Sequence, residues 1–113
     1  KALEDDLCER LTGRSSANTL ATLEYCETTH KAVWIRHVLV PGYTLDSARL
    51  ERLADYLLRF SCICKIELLP FHKMGEYKWK ALGCPYVLTD VQPPTDEQMD
   101  AARTIFRQRG LIV

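Results

Sequence analysis

The sequence predicts an α/β fold with parallel strands, and three features carry that prediction. Two apolar segments have the length of buried strands: Ala32–Val40, closed by Pro41-Gly42, and Lys65–Leu69, closed by Pro70. Between them lies a stretch whose apolar residues follow the helical period. A strand, a helical crossover and a second strand make a unit that pairs in parallel.

In chain order, the first element is a helix over Leu3–Leu11. Leu3, Leu7 and Leu11 form one stripe of it, and Gly13 is its stop. Ser15-Ser16 offers an N-cap for a second helix, Ala17–Thr29, with Leu20 and Leu23 inward and Ala17 and Cys26 beside them. Ala32–Val40 is rich in β-branched residues and almost continuously apolar, the pattern of a strand covered by helices on both faces. Trp34 reads as a core anchor. Asp46 or Ser47 caps the next helix, which runs to Phe60 and turns Leu50, Leu53, Ala54, Leu57 and Leu58 inward. The second strand stops at Leu69, because proline has no N–H for a ladder.

Lys73–Pro94 contains Gly75, Gly83, Pro85, Pro93 and Pro94 and reads as a long irregular loop, held to the body by Tyr77, Trp79 and Tyr86. Loops of that length are commonly functional. Thr95 and Gln98 form a capping box for a last helix, Asp96–Arg109, with Met99, Ala102, Ile105 and Phe106 inward. Gly110 ends it, and Leu111–Val113 reads as a short final strand.

At 113 residues the chain is at most one small domain or part of a larger one. Its 47% hydrophobic content suffices for a packed core. Fifteen basic residues balance fifteen acidic ones, which gives neither a nucleic-acid footprint nor an acidic tail. No apolar run is long enough to span a bilayer, and none has the form of a signal peptide. The start at Lys1, without methionine, fits a piece of something longer. Two strands leave edges and faces without partners, so the expected whole is a larger sheet, a barrel or half-barrel. The five cysteines read as scattered thiols of a reducing compartment. Cys62 and Cys64 share a strand face, but no second pair completes a metal site at recognisable spacing.

Chemistry concentrates at the carboxyl ends of the two strands, the edge where ligands bind in parallel α/β folds. Arg36 and Val38 share one face, and His37 points the other way. With Leu68 and His72 they sketch an apolar wall, a guanidinium and an imidazole, suited to an anionic or purine-bearing ligand. On pattern alone His72 reads first as a loop-capping histidine and His37 as a residue packed under a helix, while Arg36 reads nearly as readily as a member of a buried structural ion pair. No glycine-rich phosphate loop, G-x-S-x-G or H-E-x-x-H occurs. Asp5-Asp6 reads as solvated surface.

Taken together, Val33-Trp34-Ile35-Arg36-His37-Val38-Leu39-Val40-Pro41-Gly42, Lys65-Ile66-Glu67-Leu68-Leu69-Pro70-Phe71-His72, Gly75 with Lys78-Trp79, and Val91 with Pro93-Pro94 resemble the carboxyl-terminal part of the pyruvate formate-lyase activating enzymes. These belong to the radical S-adenosylmethionine (SAM) activases of glycyl radical enzymes. The resemblance implies a partial (β/α)6 TIM-like barrel of parallel strands, of which residues 1–113 are the carboxyl-terminal half. It implies SAM and a [4Fe-4S] cluster as cofactors and a glycyl radical enzyme, pyruvate formate-lyase foremost, as partner. A one-electron donor such as flavodoxin, a cytoplasmic setting, and no nucleic-acid or membrane partner are implied as well. In that family a 5′-deoxyadenosyl radical takes hydrogen from a backbone glycine of the lyase.

The family's Cys-x3-Cys-x2-Cys loop is absent, so the resemblance places the cluster ligands outside these residues and implies no catalytic or metal-ligating residue within them. The fragment alone is then expected to be inactive. Its glycine-and-glutamate SAM motif is absent too. Four positions match SAM contacts: Lys1, Arg36, Val38 and His72. An aromatic residue stands in the family where this chain has His37, which reads as lying outside the pocket. Competing readings are an activase of another glycyl radical enzyme and a cluster-less α/β module that binds a nucleotide or a protein. A barrel enzyme for phosphorylated metabolites would want a phosphate-binding glycine loop that is missing here.

Overall fold

A computed structural model describes residues 1–113. The order is α1 (Asp5–Thr12), α2 (Ala17–Thr28), β1 (Val33–Leu39), α3 (Ser47–Leu57), β2 (Ile63–Pro70), α4 (Glu76–Ala81) and α5 (Asp96–Arg107). As expected of a helical crossover, β1 and β2 pair in parallel, with Trp34 opposite Lys65, Arg36 opposite Glu67 and Val38 opposite Leu69. Pro70 is the last residue of β2 and pairs with Leu39, one residue past the predicted stop. The strand tolerates it because the next donor, the Phe71 N–H, closes the ladder on the Leu39 carbonyl at 3.2 Å.

Alternation gives the sheet two unlike faces. Ile35, His37 and Leu39 lie beside Ile66 and Leu68 on one face, which α3 and α5 cover. There Leu39, Leu50, Ala54, Leu57, Phe60, Ile66, Leu68, Met99, Ala102 and Phe106 form the core, with Leu23 of α2 at its margin. Each large aliphatic or aromatic side chain so buried contributes about 1.5–3 kcal/mol. The other face carries Trp34, Arg36 and Val38 beside Lys65, Glu67 and Leu69, and no helix lies on it. This corrects the expectation of two covered faces. Trp34 is 52% exposed and anchors no core.

The helices follow their local chemistry. Gly13 ends α1 at φ 73°, where its N–H donates to the Glu9 carbonyl. Asp46 accepts from the Arg49 N–H to cap α3. Thr95 and Gln98 make the predicted capping box at α5. Ser16 sits at the N-cap of α2 without a side-chain cap bond, while the Ser15 hydroxyl accepts from the Ala17 N–H at 3.1 Å; the Ser15 hydroxyl and the Ser16 N–H also donate to the Asp5 carboxylate at 2.6 and 2.7 Å, which ties α2 back to α1. The Ser15 hydroxyl, followed by the Ser16 N–H, holds the Asp5 carboxyl below its ordinary range. The buried face of α2 is narrower than predicted: Leu23 is buried, Leu20 and Cys26 are half-buried, and Ala17 is exposed.

Residues 73–94 contain a short helix, α4, where irregular chain was expected. Its aromatics hold the loop to itself rather than to the body. Trp79 and Tyr86 pack ring to ring at 5.9 Å, and Tyr77 is 65% exposed. Lys73 donates to the Thr89 carbonyl across the same loop. Leu111–Val113 does not form a strand; a single bond joins it to β2, from the Ile66 N–H to the Ile112 carbonyl at 2.9 Å. At the opposite end of the sheet, the Glu27 carboxylate of α2 accepts from Ser61 and from the Cys62 N–H at 2.7–3.0 Å. Those bonds pull its pKa down to about 2. No helix is long and apolar enough to cross a membrane.

Candidate functional site

The candidate site lies on the open face, toward the carboxyl ends of the strands. Arg36 projects there from β1, and its Nε–H donates to the carboxylate of its cross-strand partner Glu67 at 2.9 Å. The guanidinium carbon sits 5.6 Å from the Trp34 ring centroid, and Lys65 Nζ sits 4.6 Å from the same ring. Val38, half-buried, follows Arg36 along β1. The wall residue beside it is Leu69. Leu68, the predicted one, pairs with His37 and is buried on the covered face. The alternation of β1 was readable from sequence, but the phase of β2 against it is set by register. Past Pro70 the chain buries Phe71 and exposes His72, whose Nδ1 accepts from the Met74 N–H at 3.4 Å.

Lys1 is exposed, and its Nζ donates to Thr19 of α2 at 2.9 Å. It lines a largely apolar groove of about 490 Å³ that runs along the free edge of β1 to α2 and α3 and includes Arg36, Leu23, Ile35 and Tyr56. Val38 and His72 do not line that groove. The fold therefore gathers Arg36 and Val38 on one strand face and sets Lys1 near Arg36. It leaves His72 at the end of the neighbouring strand.

His37 faces away, as the alternation predicted. It is buried among Ala2, Leu7, Thr44 and Leu50, with Glu4 and Arg49 close by. Burial pushes its pKa down to about 4 against the pull of Glu4. It is neutral near pH 7 and projects from the opposite strand face to Arg36, yet it also lines the groove that Lys1 and Arg36 line.

The donor set suits an organic ligand. Arg36 spends its Nε on Glu67 and makes no other hydrogen bond to the protein, so both terminal nitrogens remain available. An imidazole and an aliphatic shelf of Val38 and Leu69 complete the set. The same residues do not fit an iron–sulfur cluster. Nowhere do three His, Cys, Asp or Glu side chains converge as ligands. Cys64 is exposed, and burial, followed by the Glu27 contact, pushes the Cys62 thiol up to about 11.

Glu67 and Trp34 were missed as site residues from sequence. The available signal was an acid inside an apolar strand, two residues beyond a lysine, facing an arginine inside the neighbouring strand.

No protein-family model matches the chain. It is 40% identical over 106 residues to the pyruvate formate-lyase-activating enzyme of Streptococcus mutans, covering 94% of this chain and 40% of that relative. It is 37% identical over 110 residues to pyruvate formate-lyase 1-activating enzyme of Escherichia coli, covering 97% and 45%. In sequence the chain is similar to pyruvate formate-lyase-activating enzymes along nearly its whole length. The Staphylococcus aureus pyruvate formate-lyase-activating enzyme matches at 38% over 112 residues. The chain spans less than half the length of these curated relatives, from 40% to 45%.

In fold it is similar to a domain of pyruvate-formate lyase-activating enzyme from Bacteroides vulgatus, with a TM-score of 0.78 at 18% identity over 99% of this chain and 60% of that one. A radical SAM methyltransferase from Sphaerobacter thermophilus gives 0.67 at 22% identity, over 98% and 30%. Both likenesses agree with the parallel α/β, partial-barrel class read from the sequence.

Proposed function

We propose that these residues form the SAM-binding portion of a radical SAM activating enzyme that generates a glycyl radical on pyruvate formate-lyase. The observation that carries this reading is the 37–40% identity to activating enzymes along nearly the whole chain. The geometry supports it with an open sheet face bearing an arginine whose terminal nitrogens are unengaged. In this reading residues 1–113 are the carboxyl-terminal half of a radical SAM barrel domain in a cytoplasmic enzyme. The [4Fe-4S] ligands and the docking site of a one-electron donor such as flavodoxin lie elsewhere in the intact protein, and these residues alone are inactive.

Bound SAM, with the cluster, supplies the radical chemistry. This chain's residues bind and orient. The terminal N–H groups of Arg36 meet acceptor atoms of the ligand, and its guanidinium stays charged throughout. Val38 and Leu69 give apolar contact that keeps water away. His72 contributes an imidazole from the β2 turn, and Lys1 an ammonium from the groove. None of the four transfers a proton. The loop 73–94 follows directly on His72, and Met74, Tyr77, Leu82 and Val87 are exposed along it, so it is the proposed contact surface for the glycyl radical enzyme.

The test uses the intact protein, purified without oxygen. Its sequence should contain Cys-x3-Cys-x2-Cys, and it should show broad cluster absorption. His72→Ala should weaken SAM binding about 10-fold, the worth of a good hydrogen bond, with iron and sulfide content unchanged. Equal affinity in the two proteins removes His72 from the site. A colourless protein lacking the cysteine loop transfers the case to a cluster-less nucleotide- or partner-binding module.

A further inference from the structure

We infer that Glu67 is a positioning residue for Arg36, acting together with the Trp34 ring, and that this pair sets how tightly the site holds its ligand. The inference rests on the reading that Arg36 contacts SAM. Arginine on an open sheet face is long and rotamer-rich, and the Arg36 side chain is 59% exposed. A guanidinium left to wander would lose most of its value as a paired donor. Two contacts restrain it here. The direct cross-strand partner Glu67 takes Nε at 2.9 Å, and Trp34, two residues earlier on the same face, lies 5.6 Å from the guanidinium carbon. The Nε bond occupies one side of the fork and leaves both terminal nitrogens to a ligand.

Glu67 has two opposing effects on an acceptor group of the ligand, such as the carboxylate of SAM. Its carboxylate orders the guanidinium, which strengthens binding. It also cancels the positive charge of Arg36, which weakens it. Both side chains are partly in water, at 59% and 33% exposure. Exposed charges are screened, and their pairwise attraction is small. The gain from a fixed, paired donor is larger and less screened. Lys65, with its amine 4.6 Å from the Trp34 ring, also keeps positive charge on this face whether or not Glu67 is ionised. Order therefore outweighs charge cancellation.

SAM titrations of the intact, cluster-loaded protein decide the matter, alongside thermal unfolding of each variant. Arg36→Ala should weaken binding about 10-fold or more, the loss of a charged donor. Glu67→Gln should weaken it about 5-fold, because a neutral acceptor holds the guanidinium less firmly. Trp34→Leu, which leaves Glu67 in place, should weaken it about 3-fold through the lost cation–π contact. In an Arg36→Ala background, Glu67→Gln should have no further effect.

An effect of Glu67→Gln that persists without Arg36 assigns Glu67 a general structural role and overturns the inference. Unchanged or tighter binding in Glu67→Gln, with Arg36→Ala weakened as expected, overturns it too and leaves the SAM reading standing. Arg36→Ala binding as tightly as wild type defeats the SAM reading itself.

Discussion

The two faces of the β1–β2 sheet are built from alternate residues of the same strands, yet different physics holds them. On the covered face Ile66, Leu68 and Leu39 meet α3 and α5, and burial does nearly all the stabilising. His37 is buried there and kept neutral near pH 7. On the open face the strands carry Lys65, Trp34, Arg36 and Glu67, joined by an ion pair and cation–π contacts that are mostly in water. Exposed pairs of that kind stabilise a fold weakly, by about 0–1 kcal/mol each. Their value lies in where they hold donors. The covered face answers for the fold, and in the proposed reading the open face answers for a ligand.

The comparison breaks first, and hardest, in the core. Phe106 of α5 is fully buried in the covered-face cluster. Phe106→Ala should cost about 3–5 kcal/mol, the loss of a buried ring plus the cavity it leaves. Denaturant titration in the intact protein would measure it. A loss under about 1 kcal/mol would mean that α5 does not organise this face.

His37 gives the next largest effect, and it depends on pH. Its folded pKa is about 4 and its ordinary value 6.5, so the unfolded chain takes the proton first as pH falls. Stability is whole above pH 6.5 and declines toward pH 4, by about 3 kcal/mol over that window. His37→Phe should flatten this limb. Acid loss below about pH 4.5 should remain in the variant, because the Glu27 carboxylate, held down to about 2, must then be protonated away from Ser61 and Cys62. A limb unchanged between pH 6.5 and 4.5 in His37→Phe would show that His37 is not what titrates.

Much of the covered side was legible in the sequence. The spacing of Leu50, Ala54 and Leu57, the capping box at Thr95 and the stop at Gly13 are local signals, and each occurs where local physics put it. The open face was not legible, because an almost unbroken apolar strand looks the same whether one face or both are covered. That ambiguity made Trp34 a core anchor on paper. On the site side, two-residue spacing put Arg36 and Val38 on one face, but no spacing rule ties them to His72, a strand away. Only the resemblance joined them. Glu67 and the exchange of Leu69 for Leu68 depend on register, which local pattern does not fix. Ser15 and Ser16 show the same limit at smaller scale: the cap residues were legible, but their bonds to Asp5, ten and eleven positions earlier, were not.

The smallest expected effect on stability is the sharpest test of the contrast. Trp34 is as large as any core side chain, so a size argument alone would make its loss severe. Its ring is 52% exposed, and its identified contacts include Arg36 and the Lys65 amine. Exposed cation–π contacts are worth about 0.5–1 kcal/mol, so Trp34→Gln should destabilise by about 1 kcal/mol in the same denaturant titration. On residues 1–113 alone, the substitution should also reduce self-association in sedimentation velocity, because it removes an exposed aromatic beside the unpaired edge of β1. A destabilisation as large as that of Phe106→Ala would mean that the open face holds the fold as well, and the division of labour between the two faces would fail.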